Sequence, residues 1–263
     1  MLTQGTATTG RPAPTSVTQK VLIVNGNGDV LEMLEPVLDA GNYDVVFVEA
    51  SAHAYSQIKR VQPDLVIGFS DLQKPLLAEC EAAGLATLSF DHRDLAGIHA
   101  MVRALGAVVG HESQAEQLCA SLQATQDEIA AIGRQLPRRP RVCFEEWDEP
   151  LIMGIGWVSE IIALAGGEDV FADRARASLA RDRIVSPEEV LARRPELILG
   201  SWCGKRFVPD KVLARPGFAA LGARLIEIKS ADILAPGPTA IERGARQVQA
   251  ALQSLFQDPT ENP

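Results

Sequence analysis

The chain has 263 residues, 46% hydrophobic and 22% charged, a length and composition that suit one large globular domain or two small ones. Its formal net charge of −9 makes nucleic acid a poor partner, and no apolar run approaches the roughly 18 residues a membrane span needs. The four cysteines, Cys80, Cys119, Cys143 and Cys203, are scattered without a CxxC pair, which argues against structural zinc and reads as small buried hydrophobes.

Residues 1–19 are rich in Thr, Gly, Pro and Ala, with no basic segment leading into an apolar one. They read as a disordered tail rather than a secretory signal, so the chain as it stands is expected in the cytoplasm unless a targeting segment has been lost. Lys20–Val24 is a short β-rich run, Asn25–Asp29 a turn cluster, and Leu31, Leu34, Val37 and Leu38 recur at helical spacing. Asp44–Val48, Leu65–Ile67 and Leu85–Phe90 read as further strands, with helices at Ala52–Val61 and Pro75–Ala83 between them. Strands alternating with ten-residue helices imply a parallel sheet with right-handed crossovers.

The texture then changes. Leu95, Ile98, Val102, Leu105 and Val109 form one apolar stripe, Gly110-His111 interrupts it, and Glu112–Ile132 continues as helix until Pro137-Arg138-Arg139-Pro140. A second α/β pattern begins at Arg141–Phe144. It continues with helices at Val158–Ala165, from Ser186-Pro187-Glu188-Glu189, and at Ile241–Phe256, and with strands at Leu197–Leu199 and Leu225–Ile228. The expected organisation is a tail (1–19), an α/β lobe (20–93), bridging helices (94–137) and a second α/β lobe (138–263).

A repeat supports two similar lobes. Pro63-Asp64-Leu65-Val66-Ile67-Gly68 and Pro195-Glu196-Leu197-Ile198-Leu199-Gly200 are near copies, each preceded by an amphipathic stretch ending in a basic patch. The fold class expected is α/β, two Rossmann-like (flavodoxin-like) lobes with parallel sheets bridged by a long helix, with a ligand held between them.

In open parallel sheets the ligand lies beyond the carboxyl ends of the strands. Phe69-Ser70-Asp71 and Asp91-His92-Arg93 follow strands of the first lobe, and Phe90 ends one. Glu145-Glu146-Trp147-Asp148-Glu149 and Ser201-Trp202-Cys203-Gly204-Lys205 follow strands of the second. All three tryptophans, Trp147, Trp157 and Trp202, fall in or just after such segments, in a chain only 5% aromatic. Aromatic faces with a few polar groups suit a large, partly apolar ligand. The candidate ligand residues are therefore Phe69, Asp71, Phe90, Asp91, Trp147, Asp148, Trp157, Trp202 and Lys205. The carboxylates Glu145, Glu146, Asp148 and Glu149 have no nucleophile or base at a telling spacing, so they read as solvated loop acids. Asn25-Gly26-Asn27-Gly28 lacks the third glycine of a dinucleotide fingerprint. His92 and His111 do not make a metal site, and no cofactor is expected.

From about Pro63 to Leu252 the chain resembles the substrate-binding proteins of ABC importers that carry vitamin B12 and ferric siderophores, most of all the cobalamin-binding ones. The matching pieces are PDLVIGFSDLQ, LATLSFDHRDLAGIHAMVRALGAVVG, FEEWDEPLIMGIGWVSEIIALAGGEDVF, VSPEEVLARRPELILGSWCGKRF and ARPGFAAL…LIEIKS…ILAPGPTAIERG. The resemblance implies a periplasmic protein without enzymatic activity that binds its ligand between two lobes and docks onto a membrane permease. A corrinoid is the ligand it implies, with haem or a ferric siderophore as rivals, and a monomer is expected. The opening segment, KVLIVNGNGDVLEMLEPVLDAGNYDVVFVEASAHAYSQIKRVQPDLVI, instead resembles the first half of a response-regulator receiver domain. There Asn25-Gly26 replaces the acidic pair, and Phe69 stands where the phosphoacceptor Asp falls. The chain looks like a chimera of two flavodoxin-like halves. The rival reading is a receiver-derived signalling or interaction module without a small ligand, and a metal-chelate enzyme on the same architecture stands third.

Overall fold

A computed structural model of the chain describes residues 20–24, 44–48, 54–68, 73–177 and 179–257. The chain divides into two compact units, Met1–Asp91 and His92–Pro263.

In the first unit, β1 (Lys20–Val24) pairs in parallel with β2 (Asp44–Val48), and β3 (Val66–Gly68) pairs in parallel with β4 (Thr87–Ser89). Helix α1 (Ala54–Val61) precedes β3, and α2 (Lys74–Ala82) lies between β3 and β4. The expected helix through Leu31–Leu38 lies outside the described residues. Among the described side chains of these helices, Ile58, Leu77 and Cys80 are buried and apolar.

The second unit opens with two helices, α3 (Leu95–Val108) and α4 (Glu112–Gly133). Asp94 caps α3, its side chain accepting from the Gly97 N–H at 2.7 Å. The turn at Gly110, with φ of 71°, folds α4 back on α3. The Arg103–Glu116 ion pair at 2.8 Å and the Gln126–His99 contact at 2.6 Å join the two helices. Helix α4 has 22 residues, about 33 Å of helix. Its buried face, Ala115, Cys119, Leu122, Gln126, Ile129 and Gly133, follows the three-and-four spacing of one helical stripe. The sequence reading sets these helices apart as a bridge; their contacts group them with the second unit.

The second sheet has five strands: β5 (Arg141–Asp148), β6 (Leu151–Met153), β7 (Glu168–Asp169), β8 (Leu197–Gly200) and β9 (Arg224–Glu227). β5, β8 and β9 run in parallel. The outer side of β5 pairs with β7 at its amino end and with antiparallel β6 at its carboxyl end. The strand alternation splits the core. Val142, Phe144, Leu197 and Leu199 face one hydrophobic cluster, while Cys143 and Ile198 face another, so both sides of the sheet are covered. Helices α5 (Gly156–Leu164) and α10 (Ala245–Ser254) and the π turn Ala240–Gly244 close the first cluster together with α4. The single long helix expected over Ile241–Phe256 is thus a π turn followed by α10. Short helices α6 (Ala172–Ala175), α7 (Pro187–Arg193), α8 (Pro209–Leu213) and α9 (Ser230–Ile233) complete the unit. Ser186 and Glu189 form a reciprocal capping box at the start of α7, where the sequence marks a helix start.

The sequence repeat is also a structural repeat. α1 and α7 each lead into Pro through a residue in the left-handed region, Gln62 with φ of 52° and Arg194 with φ of 45°. Pro disfavours the right-handed helical conformation in the residue before it, so the helix must stop there. A short strand follows, and it ends on Gly because a side chain packs across that position. A methyl group on Gly68 would meet Leu77 Cδ1 at 2.7 Å, and one on Gly200 would overlap the Phe207 ring. β3 and β8 belong to separate sheets.

The amino edge of the second sheet has its own chemistry. Helices antiparallel to the strands end there, leaving carbonyls without helical partners. Arginines take them up. Arg141 donates to the Arg193 carbonyl at the end of α7, at 3.1 and 2.7 Å. Arg139 donates to Gly167 O just past α5 at 2.8 Å, and Arg224 to Ser254 O at the end of α10 at 2.6 Å. Arg138 pairs with Glu196 at 2.8 Å.

Candidate ligand-binding site

At the opposite, carboxyl edge, parallel β5 and β8 end side by side, and the segments beyond them meet. Trp147 and Asp148 are the last residues of β5, and Ser201–Arg206 is the loop after β8. The Lys205 ammonium forms an ion pair with the Asp148 carboxylate. It also lies 3.9 Å from the centre of the Trp147 ring and 5.2 Å from that of Trp202. The Trp147 indole N–H donates to Glu149 O at 2.8 Å, which fixes the ring plane. Beneath, Trp202 meets Phe207 edge to face, ring centres 5.0 Å apart and planes at 70°. Trp147 is half-buried, whereas Trp202 is 1% exposed and forms the floor.

Glu145, Glu146 and Asp148 are not the solvated loop acids the sequence suggests, whereas Glu149 is exposed as expected. Glu145 is fully buried and accepts both nitrogens of Arg215, at 2.6 and 3.2 Å. Glu146 takes Arg183 at 2.6 and 3.3 Å, and Arg183 also donates to Met153 O. Burial pushes the Glu145 carboxyl above the usual range; the Arg215 guanidinium and the nearby Trp202 indole pull it back only in part. The Trp202 N–H makes no hydrogen bond of good geometry, so its effect on Glu145 is one of proximity. Burial also acts to raise Asp148, but the Lys205 hydrogen bond and charge outweigh it and hold that carboxyl low. These partners lie 37 to 70 residues away in sequence, out of reach of any local pattern.

Four of the residues marked from sequence, Trp147, Asp148, Trp202 and Lys205, therefore come together. Trp157 does not join them. It is 3% exposed within the main core of the second unit, and its indole N–H donates to Ile233 O at 2.9 Å. The signal was present in its helix neighbours Val158, Ile161 and Ile162, all buried. Phe90 and Asp91 follow β4 at the carboxyl end of the first unit's described strands, and the Phe90 N–H donates to Gly68 O at 2.8 Å. Phe69 and Asp71 lie outside the described residues. Two open grooves of about 470 and 480 Å³ occur elsewhere in the second unit: one at the amino edge beside Arg134, Arg138 and Arg139, the other beside Asp94, Glu160 and Arg176. Among the described residues no His, Cys, Asp and Glu grouping could hold a metal ion, and no helix is long and apolar enough to cross a membrane.

Parallel β5, β8 and β9 thus present an aromatic and cationic cluster at the carboxyl edge, where open parallel sheets hold their ligands. The chain belongs to the periplasmic binding protein family, whose model matches residues 43–224. Members of that family are solute-binding proteins rather than enzymes, and their fold is two-lobed and joined by a helix. No curated protein sequence matches the chain. Solved structures do. An ABC transporter substrate-binding protein from Listeria monocytogenes is 16% identical with a TM-score of 0.69, covering 90% of this chain and 100% of its own. The periplasmic heme-binding protein RhuT from Roseiflexus is 20% identical with a TM-score of 0.64, covering 91% and 98%. The periplasmic vitamin B12 binding protein BtuF of Vibrio cholerae is 17% identical with a TM-score of 0.64, covering 86% and 88%. At such identities the likeness is one of fold.

Proposed function

We propose that the protein is the corrinoid-binding component of an ABC importer. Trp147, Asp148, Trp202 and Lys205 are the ligand contacts we assign to the second unit, and Phe69, Asp71, Phe90 and Asp91 those we assign to the first. The observation that carries this reading is the half-buried Trp147 ring at the carboxyl edge, held by its bond to Glu149 and packed against the hydrophobic cluster that contains Trp202. A rigid aromatic face with a charged pair beside it suits a large planar chelate with polar substituents. The vitamin B12 binding and heme-binding structures of the same fold support the ligand class. The compartment we propose is the family's periplasm, and the partner is a membrane permease. We read the opening segment, about residues 20–67, as a receiver-like half that supplies frame and not chemistry, since Phe69 stands at the phosphoacceptor position.

The test is titration with cyanocobalamin, haemin and a ferric siderophore, followed by tryptophan fluorescence and repeated by calorimetry. Saturable quenching by cyanocobalamin, tighter than by the other two, is expected. Tighter binding of haemin or the siderophore would replace the corrinoid, and no binding of any of them would bring the receiver-derived interaction module forward.

A further inference from the structure

The Trp147 ring, the best stacking surface at this edge, already has an occupant. Lys205 Nζ sits 3.9 Å from its centre. The same ammonium is held by Asp148, whose side chain is 11% exposed, and lies 5.2 Å from the Trp202 ring. A cation over an indole face is a favourable contact, and two rings and one carboxylate converge on this one. A ligand that stacks on the face Lys205 covers must therefore move the ammonium aside. Once moved, the ammonium loses its ring contacts and stands beside the incoming ligand. An uncharged ligand gives it nothing in return. A ligand bearing a phosphate or carboxylate accepts a charge-assisted hydrogen bond from it and recovers the loss.

We propose that Lys205 is a specificity-determining residue: its ammonium covers the Trp147 face in the ligand-free protein and is surrendered only to ligands that carry an anionic group. The inference rests on the reading above that this edge stacks a planar chelate. Asp148 sets how firmly the cover is held. The selection works by difference, since the cover costs every ligand alike and is compensated only for anionic ones. Gly204 and Arg206 flank the lysine and both are exposed, so its side chain can swing off the ring without displacing a buried neighbour in the loop.

Two arms test this with the Lys205→Met variant. The first needs no ligand. Trp157 and Trp202 are 3% and 1% exposed, so acrylamide quenching reads chiefly Trp147. Removing the ammonium should raise the quenching constant about two-fold, in the range expected when one face of a half-buried ring is uncovered. An unchanged constant overturns the proposal whatever the protein binds. The second arm compares cyanocobalamin, which has a phosphodiester, with dicyanocobinamide, which has none. The parent should prefer cyanocobalamin about ten-fold, and Lys205→Met should bind the two within roughly two-fold of each other. It should also bind dicyanocobinamide about 2- to 10-fold more tightly than the parent does, the worth of one cation–ring contact and one partly exposed ion pair. Equal or weaker binding of dicyanocobinamide by the variant overturns the proposal. A rise in quenching with no corrinoid bound by the parent supports the cover and sinks the corrinoid reading, so the two failures are distinguishable.

Discussion

Substituting Gly200 by alanine should damage the second unit from its strand end, although alanine is the smallest possible addition. The new methyl would fall deep inside the Phe207 ring, and the ring must retreat by about 1.5 Å to restore ordinary contact. Phe207 cannot retreat freely. It is 3% exposed, its N–H donates to Glu227 at 3.0 Å, and its ring lies against Trp202. Overpacking of such a site costs about 1–3 kcal/mol, and the pinned ring places the expected cost at the upper end, about 2–3 kcal/mol. For a unit of this size that is a fall in Tm of roughly 5–10 °C. Calorimetric unfolding of the parent, Gly200→Ala, Phe207→Ala and the double variant isolates the cause. In the Phe207→Ala background the methyl has room, so Gly200→Ala should cost less than about 0.5 kcal/mol, leaving a coupling energy of about 2 kcal/mol. The same loss in both backgrounds would refute the reasoning, because the cost would then come from the strand backbone. Gly68→Ala should cost less, since its methyl meets the far end of the flexible Leu77 side chain.

Trp157→Ala should destabilise by about 3–5 kcal/mol and leave ligand affinity untouched, while Trp157→Phe should cost about 1–2 kcal/mol, chiefly the bond to Ile233; urea unfolding and a parallel binding titration check both. Trp147→Ala should weaken cyanocobalamin binding by roughly 5- to 150-fold, about 1–3 kcal/mol, with little change in Tm. Glu145 gives a pH signature. Its carboxyl is raised in the folded protein, so its contribution to stability is present in acid and is lost as pH rises through the folded value. Glu145→Gln, which cannot titrate, should therefore remove part of any gain in Tm between pH 7 and pH 5; parallel Tm curves for parent and variant would refute this.

The frame was legible wherever a local pattern encodes it. The repeated Pro-acid-apolar-Gly run marks strands that follow left-handed helix ends at Gln62 and Arg194, and Ser186 with Glu189 announces its helix. β6 and β7 were not read, because two- and three-residue edge strands have too few side chains to show an alternation. Trp147, Asp148, Trp202 and Lys205 could be gathered from sequence because parallel strands deliver their carboxyl ends to one edge. Glu145 and Glu146 could not be separated from surface acids, because Arg215 and Arg183 reach them only through the tertiary fold. Trp157 follows the β6 turn like a site residue, yet it shares the core face of its helix with Val158, Ile161 and Ile162.

The arginines of the amino edge bear on how such a protein can change. Arg139, Arg141 and Arg224 each hold the end of a helix or the turn just past it, so that rim is committed to keeping the scaffold closed. Lysine there would lose the forked geometry with which Arg141 grips one carbonyl twice. The side chains from Cys203 to Arg206 in the loop after β8 are all exposed, and none of the described ones holds a helix end; Lys205 reaches instead to Asp148 and the two rings. If the carboxyl edge holds the ligand as proposed, cargo preference and architectural integrity sit at opposite rims of one sheet. On that reading a lineage, or an engineer, could rewrite residues 203–206 to retarget the protein while the far rim keeps the chassis intact.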